Sequence, residues 1–581
     1  MLIIIKKSFL TNKFPEAWKE AIVIPVHKSG DKGVSSNYRP ISLLPVVSKI
    51  MEKIVFKIMF NYLRDNNKFF KYQSGFMRQD SSVHQLVYLY DTIAKAMDNK
   101  SQLQMVFCDI TKAFDRVWHE GLLYKLKSIG FVGDLHLWLK DYLYARRQCV
   151  CVEGKYSTWS TIKNGVPQGS ILGPLLFLVY INDLPTELNN GVTLLADDTT
   201  LFIDLDVKNK ETKSGGLQTD LIALEKWANY WLVDFNPKKT ECLTFKSSST
   251  VTHSRPMTLM GSEIPERDHH KHLGLVLSET ATWKTHITEM CTKAAKKVNM
   301  LRPLKNKLSR RSLHLLTNAF VMPSLEYGCV VWDNCTKALK TMIDKVYENA
   351  LRLVTGAPNR SKREALYKET GAFKCQIRRD KQKLKLLHQM KYSHSREYLC
   401  ELISNKASSL PGREHDILIP RARINIYQNS FVPCTTRLWN KLSPELKSTV
   451  SRNDFTKKLN LSPEFANKTI NPFYLMGPRN MNIILANMRM ECSDLNSDKK
   501  KRGIVEHSTC ACGIPSETPN HYFLSCPLYK REREILKTDM GSCPKIKEIL
   551  HGYSNNTLNS TLMSALTNYV NSTKRFTKAN R

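Results

Sequence analysis

The alternation of apolar and polar positions divides the chain into short strands and amphipathic helices. Ala21–Val26 is a short apolar run and predicts a strand, 28–33 a polar turn containing glycine, and Val46–Val55 a helix after the helix-breaking Tyr38–Pro40. Over Ser81–Asn99, the apolar Val83, Leu86, Val87, Tyr90, Ile93, Ala94 and Met97 recur at three and four, the mark of an amphipathic helix. On that helix His84 reads as a surface or packing residue. Gln104–Cys108 predicts a buried strand ending on Asp109, with Asp115 opening the next helix, because Asp is favoured at helix N-termini. Arg147–Val152 and Tyr156–Lys163 predict a hairpin about Glu153-Gly154-Lys155. Ile171–Ile181 is apolar nearly all round, so it predicts a buried helix. In Val192–Ile203 two apolar runs flank Asp197 and Asp198, which predicts a hairpin with the acidic pair at its tip. Further on come a helix over Leu217–Leu232, a turn and strand over Asn236–Phe245, a polar loop over 251–270, a short strand over His272–Val276, and helices from about Trp283 to 356. Residues 360–500 read only as mixed helix and loop.

Charge sharpens this outline. The 581 residues carry 87 Lys+Arg against 53 Asp+Glu, a net charge of +34. With 42% hydrophobic and 24% charged residues the chain is otherwise an ordinary folded protein, long enough for several domains. So large a basic excess favours a polyanionic partner; ribosomal or chromatin binding would satisfy it equally, so charge gives a partner class and no reaction. No apolar run reaches the roughly 18 residues of a membrane span, and MLIIIKKSFL is too short for a signal segment. Fifteen scattered cysteines do not suggest a disulfide framework. The expectation is a reducing compartment, cytoplasm or nucleus, with no membrane partner.

Four groups of residues carry candidate chemistry. The Asp197-Asp198 pair is at home in an ordinary turn, yet adjacent carboxylates on a hairpin are also the hard oxygen ligands Mg²⁺ takes, and Asp109 at a strand end is poorly explained by packing. Gly165, Pro167 and Gly169 surround Gln168 just before the buried helix, a place where backbone comes close to an anion. Lys28 and Arg39 beside a strand read either as a solvated loop or as a phosphate grip. Cys510, Cys512, His521 and Cys526 have the identity and compactness of zinc ligands. Their Cys-x-Cys needs a tighter turn than the usual spacing, which Gly513 could provide; chance clustering is the alternative.

The motifs in order are AIVIPVHKSGD with NYRPISLL, QSGF, DITKAFDRVWHEGLLYKLKSIG, GVPQGSILGPLLFLVYINDLP, LADD, NPKKTE and HLGL. They resemble the reverse transcriptases of non-LTR (LINE-type) retrotransposons, and among them the jockey-like group, over about residues 10–360. The resemblance implies an α+β right-hand polymerase (fingers, palm and thumb) with a helical basic C-terminal region and a small Cys/His zinc-knuckle-like motif. It implies an RNA-directed DNA polymerase that extends a primer 3′-hydroxyl on an RNA template, with dNTPs, a DNA primer or target and two Mg²⁺ ions as partners. Residue by residue, Asp109, Asp197 and Asp198 match the catalytic carboxylates that hold Mg²⁺. Phe114 matches the residue that blocks a ribose 2′-hydroxyl. Gln168 and Gly169 match the template and nucleotide motif, Arg39 and Lys28 the triphosphate contacts, and Lys238 or Lys239 the basic residue at the leaving group. His272, Leu273 and Gly274 match the primer grip, and the basic helices after 283 the thumb. The C-terminal Cys/His segment resembles the motif that often closes these proteins, with Zn²⁺ as its cofactor.

The implied domains are 1–100 fingers, 101–250 palm, 251–360 primer grip and thumb, 361–500 a helical basic region of unknown role, 501–535 the zinc knuckle and 536–581 a basic tail. Two departures stand out: Leu195 where the family commonly has an aromatic, and Arg78-Gln79 where it has Pro-Gly. Such elements usually carry an endonuclease upstream, and its absence here suggests a truncated copy. A nucleic-acid-binding relic without catalysis and, less favoured, a group II intron-type maturase are the alternative readings.

Overall fold

The structure, a computed structural model, describes residues 2–205, 216–246, 256–359, 361–403, 414–466 and 469–577. It contains two compact units: Met1–Thr282 with Gln389–Ser408 and Ile417–Thr436, and Trp283–His388 with Ser409–Asp416 and Arg437–Arg581.

The first unit is built on a four-stranded antiparallel sheet. Its order is Gly191–Leu195, Asp198–Leu205, Gln102–Cys108, Glu241–Phe245. Gln102–Cys108 is hydrogen-bonded on both sides and buried along its whole length, which is why its sequence reads as a continuous run rather than an alternation. Register then fixes chemistry. Cys108 lies opposite Thr199, so Asp109 and Asp198 are the next residues in line at the same end of the sheet.

The helix Leu172–Ile181 is buried on nearly every side, as its uniform apolarity predicts, and packs on the helices Val46–Asp65 and His119–Ser128. Burying each of its large side chains contributes about 1.5–3 kcal/mol. Its entry is capped by the buried Glu52, which accepts from the backbone N–H of Ile171 at 2.7 Å and of Leu172 at 3.2 Å. Burial raises that carboxyl above the usual range, against the pull of those two donors.

A second sheet pairs Glu20–His27 antiparallel with Tyr38–Leu43 and parallel with Arg147–Val152. The segment expected as one return strand, Tyr156–Lys163, supplies only the short pieces Lys155–Tyr156 and Ser160–Thr161. Three further expectations change. Asp115 does not open a helix: it lies in a 3-10 turn, Ala113–Arg116, and the helix starts at His119. Within the expected loop 251–270, Thr258–Leu259 and Ser262–Glu263 form a small hairpin; 251–255 lie outside the described residues. The expected strand His272–Val276 is two strands, His269–His272 and Leu275–Ser278, joined by a tight turn at Leu273 (φ 45°) and Gly274 (φ 87°). A two-residue hairpin turn with positive φ at both positions suits the strand twist, and alternation counts do not reveal it.

Part of the region that the sequence left unread returns to this unit. Tyr398 shares its hydroxyl with Ser74 Oγ at 3.0 Å and Asp80 Oδ1 at 2.9 Å, and the N–H groups of Arg423 and Ile424 donate to Asp98 Oδ1 at 2.7 and 2.8 Å.

The second unit is helical. Lys284–Leu301 packs on Lys337–Thr355, beside a buried Asp333 held by Arg379 at 2.6 Å and Lys383 at 2.5 Å. Burial pushes that carboxyl up, but Lys383, Arg379 and Lys340 outweigh it and hold it down at about 2. The region 536–581 is expected as a basic tail, and its described residues, 536–577, are largely folded. The helix Asn556–Thr573 buries Leu562, Leu566 and Tyr569 in one core with Tyr522 and Phe523, so the Cys/His segment and the C-terminal helix are packed together. Among the described residues, no helix is long and apolar enough to cross a membrane.

Candidate active site and cysteine–histidine cluster

The acidic hairpin is tighter than its sequence suggested. Leu195 pairs with Asp198, so the tip is Ala196-Asp197, and Asp198 begins the return strand. Ala196 has φ 57°, a left-handed conformation that costs a non-glycine residue about 1–2 kcal/mol and so needs support. The support is the QSGF segment, Gln73–Phe76. Ser74 N–H donates to Leu194 O at 2.8 Å and Leu194 N–H to Tyr72 O at 3.1 Å. The buried Gln73 accepts at Oε1 from two backbone N–H groups, Gly75 at 2.7 Å and Ala196 at 3.0 Å. Gly75 lies so close beneath the tip that a Cβ there would be 2.2 Å from Ala196 N. Sequence reading quoted QSGF as a motif and missed this clamp; a buried glutamine next to a glycine was the available signal.

Three carboxylates influence one another here. Asp198, at the exposed mouth of the site but crowded by protein behind it, is raised to about 6 by that crowding and by the charges of Asp197 and Asp109. Asp197 is raised as well, first by burial and then by Asp109, while Lys28 and Arg39 pull it back. Lys28 and Arg39, read as a phosphate grip or a solvated loop, therefore bring their charge to the acidic site. Of the two candidate lysines, Lys239 lies 3.4 Å from Asp109 Oδ2, whereas Lys238 is placed through its backbone N–H on Asn236 Oδ1 at 3.2 Å.

Phe114 stands on an aromatic footing, stacked on Phe177 at 4.9 Å and edge-on to Phe76 at 6.1 Å. Gln168 is held at both ends: its Nε2 donates to Asp115 Oδ1 at 3.0 Å, and its backbone carbonyl accepts from Ser42 N–H at 2.7 Å. Gly169 (φ 135°) has no room for a side chain, since a Cβ would sit 2.5 Å from Ser42 O. The primer-grip triplet divides. His272 is buried against Phe107 at 4.9 Å and is lowered to about 3 by burial and by His270, so it stays neutral, and only the Leu273-Gly274 turn faces outward. His270 stacks on Phe107 at 3.9 Å, with Nδ1 2.7 Å from Glu241 Oε2.

In the second unit, Cys510, Cys512, His521 and Cys526 bring one ligand atom each within 4.8 Å of all the others. Cys510 Sγ and Cys526 Sγ are 3.8 Å apart, the edge of a tetrahedron with Zn–S bonds of about 2.3 Å. Cys512 Sγ is 3.2 Å from His521 Nε2, and His521 Nδ1 faces Ser525 Oγ at 3.3 Å, which leaves Nε2 for a metal. The tight Cys-x-Cys closes through Gly513 (φ 91°), whose N–H donates to Cys510 O at 2.9 Å. All fifteen cysteines are free thiols. Soft ligands, tetrahedral spacing and burial of three of the four fit a closed zinc site. Among the described residues, no other group of three or more His, Cys, Asp or Glu ligand atoms is gathered this tightly, so the acidic trio is the more open arrangement.

Residues 26–297 match the family described as "Reverse transcriptase (RNA-dependent DNA polymerase)". The chain is similar to the RNA-directed DNA polymerase from mobile element jockey of Drosophila melanogaster, 36% identical over 59% of this chain and 38% of that protein. It is also similar to the probable RNA-directed DNA polymerase from transposon BS of the same organism, 33% identical over 59% of this chain and 39% of that one. A Pol polyprotein from the type-1 retrotransposable element R1 of Bradysia coprophila is 23% identical over 92% of this chain and 51% of its own length. The chain thus spans between about two-fifths and half of the relatives it matches.

Proposed function

We propose that the chain, whose residues 26–297 match the reverse transcriptase family and which is similar to the jockey polymerase, belongs to the jockey-like non-LTR retrotransposon group and is an RNA-directed DNA polymerase, extending a primer 3′-hydroxyl on an RNA template with dNTPs. The observation that carries this reading is the convergence of Asp109, Asp197 and Asp198 at one end of the sheet, where burial first and then the charges of Asp197 and Asp109 lift Asp198 to about 6. Carboxylates that repel one another in this way are a donor set short of cations, and hard oxygen ligands suit Mg²⁺. Two such ions, when bound there, would activate the 3′-hydroxyl and stabilise the leaving pyrophosphate.

The chain's own residues supply positioning and charge. The Gln73 clamp fixes the hairpin tip, so Asp197 is presented by a rigid turn. Lys28 and Arg39 neutralise the triphosphate, and Lys239 stands on the Asp109 side for the developing charge of the leaving group. Phe114, backed by Phe177, excludes a ribose 2′-hydroxyl, the one group by which a ribonucleotide differs at that place. Gln168, held by Asp115, lies along the nascent pair, and the Leu273-Gly274 turn supports the primer end. The basic helices from Lys284 hold duplex by its backbone, without sequence preference. Cys510, Cys512, His521 and Cys526 hold a structural Zn²⁺ that closes the second unit's C-terminal core. An intracellular, reducing compartment suits these thiols.

Primer extension on an RNA template, with Asp197→Ala as control, tests the proposal. Mg²⁺-dependent incorporation that disappears in the variant is expected. Salt-sensitive RNA binding without any incorporation would instead favour a nucleic-acid-binding relic.

A further inference from the structure

The second unit holds a cavity of about 530 Å³ that serves none of the roles above. The start of the helix Arg479–Arg489 contributes Asn480 and Ile483 to its lining, which also includes Lys305 and Arg502. Among the described residues, three cations, Lys305, Arg479 and Arg502, and one acid, Asp494, line it. Arg479 donates from Nε to Lys305 O and from Nη2 to Leu353 O, both at 3.0 Å, while its Nη1 is buried without a hydrogen-bond partner. Arg502 donates to Asp498 O at 3.2 Å and to Ser493 O. Among the described residues, neither arginine makes an ion pair, so both charges are held in place by neutral carbonyls. Pro478 precedes the helix and gives it no side-chain cap, and the helix's first-turn N–H groups add partial positive charge beside Asn480. The volume suits a ligand of mononucleotide size, and Ile483 and Ile484 give that space an apolar side.

We propose that this cavity binds a phosphate-bearing unit of a single nucleic-acid strand, the phosphate between Asn480, Lys305 and Arg502 and its nucleoside along Ile483. The site rests on the polymerase reading only for the source of its ligand. Phosphate at a helix N-terminus with two flanking cations needs no particular base, so the contact is one of strand retention and carries no sequence preference.

The test is fluorescence anisotropy of the full chain with labelled single-stranded RNA and with DNA of the same sequence, without dNTPs. Lys305→Gln is expected to weaken strand binding by about 3–10-fold and to lower the salt slope by about 1. Asn480→Asp is expected to weaken it at least as much while the melting temperature holds or rises, because a carboxylate suits a helix N-terminus as it repels phosphate. Saturating AMP should bring wild-type strand affinity down to that of the variants and no further. Unchanged strand affinity in Lys305→Gln and Asn480→Asp overturns the proposal. So does AMP binding that Asn480→Asp abolishes while strand affinity stays at the wild-type value, since the cavity would then be a free-nucleotide site. Binding is read here without incorporation, so failure of this test leaves the polymerase reading standing, and failure of primer extension leaves this result readable.

Discussion

Replacing Gln73 by Met keeps the side chain's length and volume and removes its acceptor. Two buried backbone donors, Gly75 N–H and Ala196 N–H, then lose the oxygen they share at 2.7 and 3.0 Å. Each unsatisfied buried donor costs about 1–3 kcal/mol. Some of that is offset, because Gln73 Nε2 is itself buried without a partner and would no longer be there. The net loss is about 2–3 kcal/mol. At about 2–4 °C per kcal/mol for a unit of this size, the first unit should melt about 5–10 °C lower. Activity should fall further than stability does. Ala196 keeps its left-handed conformation only while the clamp holds, and a displacement of Asp197 by about 1 Å is worth on the order of a hundredfold in rate. Thermal melting followed by circular dichroism, with single-nucleotide incorporation on a primed RNA template, measures both effects. A Gln73→Met protein that melts with the wild type and incorporates at full rate would refute the clamp.

The same geometry sets other expectations. The Asp198 carboxyl titrates near 6 in the fold, above the ordinary value near 4 of an unfolded chain, so the unfolded state loses this proton first. Without metal, ionisation therefore weakens the fold as pH rises from about 4 through 6; after discounting for its exposure the loss is about 1 kcal/mol. Asp198→Asn should remove that part of the pH dependence in melting curves at about pH 5 and 7.5, and Mg²⁺ should remove it in the wild type. Gln79 holds φ 63°, a left-handed conformation that favours glycine, so Gln79→Gly should stabilise the first unit by about 0.5–1 kcal/mol, read as a rise in melting temperature; a fall would mean the side chain contributes more than the strain costs. Cys526→Ser should abolish zinc content measured by mass spectrometry and lower the melting temperature of the second unit, because Tyr522 and Phe523 of the same short segment sit in its core; metal retained at one equivalent would contradict the four-ligand site.

The elements that sequence made legible are those whose pattern is local. The all-apolar helix Leu172–Ile181, the fully buried strand Gln102–Cys108 and the acidic hairpin all announce themselves within a short stretch of chain. Asp109 could be grouped with Asp197 and Asp198 because it directly follows a buried strand and they lie at the turn of a hairpin. What stayed hidden depends on partners far along the chain. Gln73 reaches Ala196, Asp115 turns out to hold Gln168 and not to start a helix, and His272 is buried on Phe107. Positive φ at Leu273 next to Gly274 converts an apparent strand into a hairpin, and only register with a neighbouring strand exposes it. Residues 389–403 and 417–436 looked featureless because their role is to complete a unit built from the far end of the chain.

In the proposed function, Asp109, Asp197 and Asp198 act as one cation site for nucleotidyl transfer. Mn²⁺ binding by electron paramagnetic resonance, run beside incorporation on an RNA template for the wild type and for each of the three Asp→Ala proteins, tests it most directly. Every single replacement is expected to lose Mn²⁺ binding in the first unit and incorporation together, while the melting temperature is kept or raised. Mn²⁺ binding and incorporation that survive the loss of any one of the three would contradict it.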